Sequence, residues 1–278
     1  MVVFAGQGDP RRSMDLLWRG APAPRTGPGP RPGLSVELIV DTAIAVADAE
    51  GMAALSMRAV GERLGRTAMA LYTYVPGKAE LVDLMYDRAL AELPGGYDSA
   101  DGWRAALTRW AQDSWEFYLR HPWMLQVSQA RPVLGPNEYR ALEALLGVLA
   151  RTGLPARQVR RAVSALSSVV RGAAQTLAES RQAVRATGLS EERWWYGRAG
   201  ALEALAPGFA ERFPLVAWLD AEDAVGGAED VPFLEQAARE AFEGGLTLVL
   251  DGIAAALDTE ANDGGPPTGW DGSAEHGV

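Results

Sequence analysis

The chain has 278 residues, of which 48% are hydrophobic and 22% charged, with a formal net charge of -10 and no cysteine. Disulfides and thiolate metal sites are thereby excluded, and two histidines, His121 and His276, leave no basis for a histidine-built metal site. No apolar run reaches the ~18 residues of a membrane span, and MVVFAGQGDPRRSMD has its very short apolar stretch ahead of its charges, the wrong order for a signal peptide, so a cytoplasmic protein without membrane partners is expected.

Residues 1–33 are expected to form a flexible Pro/Gly/Arg arm. The stretch GAPAPRTGPGPRPG (20–33) is mostly Pro and Gly and cannot form helix or sheet. Arg25 and Arg31 on such an arm can reach a DNA minor groove, or the arm is a passive extension. Regular structure is predicted to begin at Ser35, the N-cap of a helix with Glu37 in its first turn and Gly51 as its stop. Its apolar face is read as Leu38, Ile39, Thr42, Ala43 and Val46. A second helix follows the cap Ser56, where Leu55 and Val60 have the spacing of a hydrophobic staple, and Gly65 ends it. Thr67 caps a third helix that Pro76-Gly77 closes. A fourth runs from about Lys78 to Leu93 with Leu81, Leu84, Met85 and Leu90 as apolar members. Beyond Asp101 the sequence reads as helix over 102–121, 123–130, 137–152, 155–187, 190–205 and 233–257, with no alternating strand pattern. Residues 258–278 are expected to form a disordered acidic tail. The fold class is all-α: a helix-turn-helix domain with its linking helix over 34–94, then a larger helical domain over 95–257.

Global acidity argues against nucleic acid, because affinity for DNA rests on neutralising phosphates, but the charge is not uniform. Residues 1–33 carry five arginines against two aspartates, whereas 95–278 carry 16 basic and 25 acidic groups. Within 56–78, Arg58, Arg63, Arg66 and Lys78, the only lysine, oppose Glu62 alone. The two-residue Gly65-Arg66 turn between short helices is the mark of a helix-turn-helix, whose second helix enters the major groove. At about 100° per residue, Leu71 and Val75 set the core direction, Thr73 points directly away, Met69 and Ala70 flank it, and Tyr72 and Tyr74 stand on the shoulders. Small residues allow close approach, Met69 and Ala70 can meet thymine methyls, and the Arg58 fork matches guanine. The tyrosine hydroxyls, Lys78 and the first turn after Ser56 can meet phosphates. On periodicity alone, the same residues also suit half-buried aromatics, a core filler and a solvated charge in a plain helical bundle.

LSMRAVGERLGRTAMALYTYVPGKAELVDLM resembles the DNA-binding signature of the tetracycline-repressor (TetR/AcrR) family through the Gly65 turn, Leu71-Tyr72, Tyr74, Lys78 and Leu81. The resemblance covers roughly residues 35–94 and implies base and phosphate contacts at Ser56, Arg58, Thr67, Ala68, Met69, Ala70, Tyr72, Thr73, Tyr74 and Lys78. Residues 68–70 hold no Gln or Asn, a departure from the family's bidentate base readers. It also implies a homodimer on a palindromic double-stranded operator, released by a small-molecule effector, with the fourth helix coupling the two activities.

Seven of the nine tryptophans lie between Trp103 and Trp218. Trp103, Leu107, Trp110 and Phe117 repeat at helical spacing and read as core. Trp115, Tyr118, His121, Trp123, Gln126, Trp194 and Trp195 are the candidate contacts for a flat or hydrophobic effector, with plain packing the alternative for each. On the last helix, Phe242, Leu246, Val249, Ile253 and Leu257 form a large apolar stripe, and Ala238, Ala241, Gly245, Leu248 and Gly252 a slim one. On helix 155–187, Val159, Val163, Leu166 and Val170 stand beside Ser164, Ser167 and Ser168, so two such helices per subunit suit an isologous four-helix interface. No cofactor is expected and no catalytic cluster is present, so an enzyme is not expected. The remaining alternative is a helical ligand-binding or protein-interaction module that does not bind DNA.

Overall fold

The computed structural model describes residues 3–19, 33–223 and 233–262. It divides into two compact units, Met1–Ser167 with Val249–Val278, and Ser168–Leu248. The described residues are overwhelmingly helical, the all-α class read from the sequence.

In the first unit the chain opens with β1 (Val3–Phe4) and α1 (Pro10–Arg19), followed after the Pro/Gly stretch by α2 (Val36–Glu50), α3 (Met57–Leu64), α4 (Ala68–Tyr72) and α5 (Lys78–Leu90). Ser35 caps α2 by accepting from the Leu38 amide, and the Gly51 amide closes its end on the Ala47 carbonyl. The buried face of α2 is Val36, Ile39, Val40, Ala43, Val46 and Ala47. Leu38, read as part of that face, is exposed, because the neighbours of α2 cover the side one residue further round. α5 is buried on nearly every side, with Leu81, Leu84, Met85 and Leu90 joined by Val82, Tyr86 and Ala89. It packs against α1, α2 and the later helix Pro136–Leu149 (α7).

Two expectations about the termini are corrected. Residues 3–19 are not an arm: β1 pairs in parallel with β2 (Val127–Ser128), in register Val3 with Val127, and α1 lays Leu16 and Leu17 on the core. Its apolar residues are too few to make a helix stable alone, and α5 supplies their cover. Arg25 and Arg31 lie outside the described residues. At the other end the last helix continues to Asn262, past the expected boundary at 257, and residues 263–278 lie outside the described residues.

After α6 (Trp103–Arg120), the expected helix over 123–130 is replaced by a 3-10 turn, Pro122–Gln126, and then β2. Proline at the first position starts the turn, and pairing with β1 takes the backbone groups that a longer helix would have used. α7 (Pro136–Leu149) ends in a 3-10 turn over Ala150–Thr152 before α8 (Ala156–Thr187). Ahead of α7, Leu134 has φ 62°, rare for a residue with a branched side chain. Its amide donates to Glu138 Oε2 (2.6 Å), and its carbonyl accepts from Trp18 Nε1 at the end of α1 (2.9 Å).

The second unit holds the C-terminal half of α8, α9 (Glu191–Leu205), α10 (Phe209–Arg212), α11 (Pro214–Asp223) and the first part of α12 (Phe233–Asn262). The sequence pattern missed α10 and α11, which are short, are separated by Phe213 alone and lack a stripe. On α12 the buried set is Ala238, Phe242, Leu246, Leu250 and Ile253, so Ala238 lies on the core side rather than in the slim stripe. Ala241, Leu248 and Gly252 are exposed. On α8, Val159, Leu166 and Val170 are buried while Ser164 and Ser168 face solvent.

Candidate nucleic-acid interface

The turn between α3 and α4 is built from three local decisions. Ser56 caps α3 by accepting from the Ala59 amide at 3.0 Å, with Leu55 and Val60 buried on either side of the cap. At the far end Gly65 adopts φ 63°, ψ 34°. Its amide donates to the Glu62 carbonyl (3.2 Å) and that of Arg66 to the Gly61 carbonyl (2.8 Å), the paired bonds of a Schellman motif. Thr67 then caps α4 through the Ala70 amide at 3.4 Å. Gly61 was not singled out from the sequence, yet a Cβ there would stand 2.8 Å from the Arg66 carbonyl oxygen and 3.3 Å from the Ala68 nitrogen. The two helices approach across a gap that only hydrogen fills.

α4 is short, and its orientation follows from Leu71 and Val75, both completely buried. The opposite side faces solvent: Met69 is 75% exposed and Tyr72 46%, and Thr73 and Thr67 are exposed too. Ala68, Ala70 and Tyr74 are half-buried. Lys78 opens α5 exposed, and Gly77 before it offers no side-chain cap, so among the described residues the first amides of α5 have no capping side chain beside the ammonium. Arg58 is exposed and donates to Glu62 Oε1 at 2.8 Å, a solvent-facing pair weak enough to exchange for another acceptor. The ten residues singled out for DNA thus span the cap of α3, the turn, α4 and the start of α5.

α5 carries a ladder of acidic side chains that periodicity does not reveal. Glu80, Asp83 and Asp87 are all buried, and each accepts from backbone outside its own helix. Glu80 Oε1 takes the Asp9 amide (3.1 Å). Asp83 takes the Gly6 amide (2.8 Å) and the Ser13 hydroxyl (3.2 Å). Asp87 caps α7 through the amides of Asn137 and Glu138, both 2.9 Å, and Asn137 Nδ2 (2.8 Å). Burial pushes the Asp83 carboxyl above its ordinary range against these two donors, with Glu80 adding to the rise. Burial raises Glu138 likewise, opposed by the Leu134 amide and reinforced by Asp87. A buried carboxylate is tolerated only when its oxygens are bonded, so these contacts hold α5 between the N-terminal segment and α7.

The residues proposed for an effector fall into two groups. Trp115, Tyr118, His121, Trp123 and Gln126 belong to the first unit. Trp115 and Trp123 are buried and Tyr118 and Gln126 half-buried. The Trp123 indole N–H is buried without a partner among the described residues. His121 is 6% exposed and stands between Asp48 (Nδ1 to Oδ1, 2.9 Å) and Glu92 (Nε2 to Oε1, 3.0 Å). Burial opposes its protonation, but the two carboxylates outweigh it and raise the imidazole above the ordinary histidine value. Both ring nitrogens are therefore occupied, and the histidine ties α2 to the segment after α5. Trp194 and Trp195 lie on α9 of the second unit, partly exposed, edge to face at 5.0 Å, with Trp195 against Phe233 at 5.9 Å. A separate groove of about 680 Å³ runs between α7 and α8, lined by Leu142, Leu146, Ala150, Leu154, Val159 and Val163 among others. It contains none of the seven residues.

Comparison with known proteins agrees with this layout. Residues 39–85 match the family described as bacterial regulatory proteins, tetR family, and residues 95–257 match the tetracyclin repressor-like C-terminal domain. The chain is 38% identical over 264 residues to the HTH-type transcriptional repressor DrrR1 of Streptomyces coeruleorubidus, covering 94% of this chain and 92% of the relative. Among solved structures it resembles apo ActR of Streptomyces coelicolor, with TM-score 0.64 and 25% identity over 83% of this chain and 99% of that one. It also resembles the regulator SCO7222 of the same organism, with TM-score 0.56 and 30% identity over 80% and 99% of the two chains. ActR has in addition been solved with actinorhodin, and that structure aligns at TM-score 0.63 and 25% identity over 80% of this chain and 96% of that one. A helix-turn-helix with a solvent-facing α4, followed by a helical domain that matches along its whole length, places the chain in the TetR family of bacterial transcriptional regulators.

Proposed function

We propose that the protein is a ligand-responsive transcriptional repressor that binds a palindromic operator as a homodimer and is released by a small hydrophobic or aromatic effector. The observation that carries the reading is the face of α4. Met69, Tyr72 and Thr73 are turned outward over a helix held from behind by Leu71 and Val75, with Lys78 exposed beside it. This is a shape for groove insertion with phosphate contacts at its edges. The repressor DrrR1, similar over nearly the whole chain, supports the direction of regulation. The structure of ActR with actinorhodin supports a small-molecule effector. Trp123, whose buried indole N–H has no partner among the described residues, together with Trp115, Tyr118, His121 and Gln126, is the proposed effector contact in the first unit, and Trp194 and Trp195 are the proposed contacts in the second. Exposed Ala241, Leu248 and Gly252 on α12 and Ser164 and Ser168 on α8 suit close packing of these helices against a second copy, and a two-fold dimer requires a palindromic site.

An effector favours release only through differential affinity for the two forms, and the coupling is reciprocal. Electrophoretic mobility or fluorescence anisotropy with the DNA upstream of the protein's own gene tests the reading. Tyr72→Ala and Lys78→Ala each weaken retention, and a pair of variants that bind as the parent does would refute it.

A further inference from the structure

We infer that Arg11 and Arg12, in the first turn of α1, form an additional DNA-backbone contact beside Lys78, so that the reading head has a phosphate-binding edge outside the helix-turn-helix. The inference rests on the DNA-binding reading above. It starts from how α1 lies on α5. The Asp9 amide, at the start of α1, bonds Glu80 Oε1 in the first turn of α5. One turn on, the Ser13 hydroxyl bonds Asp83, and at the far end of α1 Trp18 reaches Leu134, three residues before the stretch that Asp87 caps. The contacts advance together along both helices, so α1 and α5 run parallel and begin at the same end. The approach there is close. A Cβ on Gly8 would overlap the Glu80 carboxylate, and one on Gly77, the residue before Lys78, would stand 3.0 Å from Glu80 Oε2. Glu80 therefore touches the chain just before Arg11 and Arg12 on one side and the chain just before Lys78 on the other.

Charge supplies the second part of the argument. Arg11, Arg12 and Lys78 are all exposed, and none has an ion-pair partner among the described residues. Among the described residues the nearby acids make no ion pair with them: Asp9 Oδ1 accepts the Arg12 amide (2.9 Å), Asp15 pairs with Arg19 (3.3 Å), and Glu80 and Asp83 are buried and accept backbone amides. Two arginines in a first turn also stand at the positive end of the helix dipole, the unfavourable end for a cation. In a chain with ten net negative charges, three exposed cations that make no ion pair among the described residues thus stand at one end of the α1–α5 pair. A phosphodiester backbone supplies a counter-charge, and α1 carries the two guanidinium groups on a rigid element rather than on a loose arm.

The test is the salt dependence of binding, by anisotropy, to the DNA upstream of the protein's own gene. Each lost phosphate contact flattens the slope of log K against log salt by about 0.9. Arg11→Ala/Arg12→Ala is expected to flatten it by about 1.8 and to weaken binding about 30-fold at 0.15 M salt. Arg11→Lys/Arg12→Lys restores most of the slope, because a phosphate contact needs the charge more than the fork. Arg131→Ala, an exposed arginine near the opposite end of α1, leaves it unchanged. A double alanine variant with the parent's slope, while Lys78→Ala flattens it, overturns the inference and leaves the DNA-binding reading standing. A parent protein that shows no salt-dependent binding to that DNA overturns both.

Discussion

Replacing Gly61 by alanine sets two effects of known size against each other. In a helix, alanine is favoured over glycine by about 1 kcal/mol, so by propensity alone the change on α3 is stabilising. The structure opposes it, because the new Cβ would lie 2.8 Å from the Arg66 carbonyl oxygen and 3.3 Å from the Ala68 nitrogen, both backbone atoms. An ordinary carbon–oxygen contact needs roughly half an ångström more, and neither neighbour can rotate away as a side chain would. Overpacking of this kind costs about 1–3 kcal/mol, so the net change is expected to be destabilising by about 0–2 kcal/mol, or a fall of up to several degrees in unfolding temperature. The more specific consequence is a displacement of residues 66–68, and with them the start of α4. Gly61→Ala should therefore lose affinity for promoter DNA out of proportion to its loss of stability. Gly65→Ala is the paired control: a Cβ at Gly65 meets nothing within 4 Å, so that variant bears only the cost of a left-handed residue, about 1–2 kcal/mol. Thermal unfolding and anisotropy on both variants decide the matter. A Gly61→Ala protein more stable than the parent by about 1 kcal/mol and equal to it in DNA affinity would refute the close approach as a determinant of the reading head.

Asp87→Ala leaves the Asn137 and Glu138 amides and Asn137 Nδ2 without their acceptor. It is expected to cost about 2–3 kcal/mol in chemical denaturation, whereas Asp87→Asn keeps one acceptor oxygen and loses less. His121 gives a pH dependence whose sign follows from its raised folded-state pKa. Its clamp on Asp48 and Glu92 is at full strength below the ordinary histidine value of about 6.5 and is lost as pH rises through the raised value. The difference in unfolding temperature between the parent and His121→Phe should therefore be largest near pH 6 and shrink toward pH 9. A difference independent of pH would remove the ion pairs from the account.

The helix-turn-helix was readable because its determinants are local. Ser56, Gly65, Thr67 and Pro76-Gly77 each act within a turn of their own position, and Leu71 and Val75 mark the inner face of α4 whatever lies behind it. The ends of the chain were not readable in the same way. Residues 10–19 are amphipathic at helical spacing but form only a short helix, and α1 depends on acceptors at Glu80 and Asp83, some seventy residues away. The same distance in sequence hid the position of Leu38 and the replacement of an expected helix at 123–130 by a strand that pairs with Val3 and Phe4.

By itself, then, the sequence determined the all-α class, the boundaries of α2 to α5 to within a few residues, and which side of α4 faces outward, because helix caps, glycine turns and the 3.6-residue period are short-range physics. Only the tertiary structure decided that Gly61 lies too close to the turn for a Cβ. It also decided that His121 is enclosed by two carboxylates, and that Glu80, Asp83 and Asp87 point into protein rather than water. A charged side chain on a helix is compatible with either solvent or a buried set of donors, and nothing within its own turn distinguishes them. The distinction comes from amides that the fold brings from elsewhere in the chain, without which burying those carboxylates would be prohibitive.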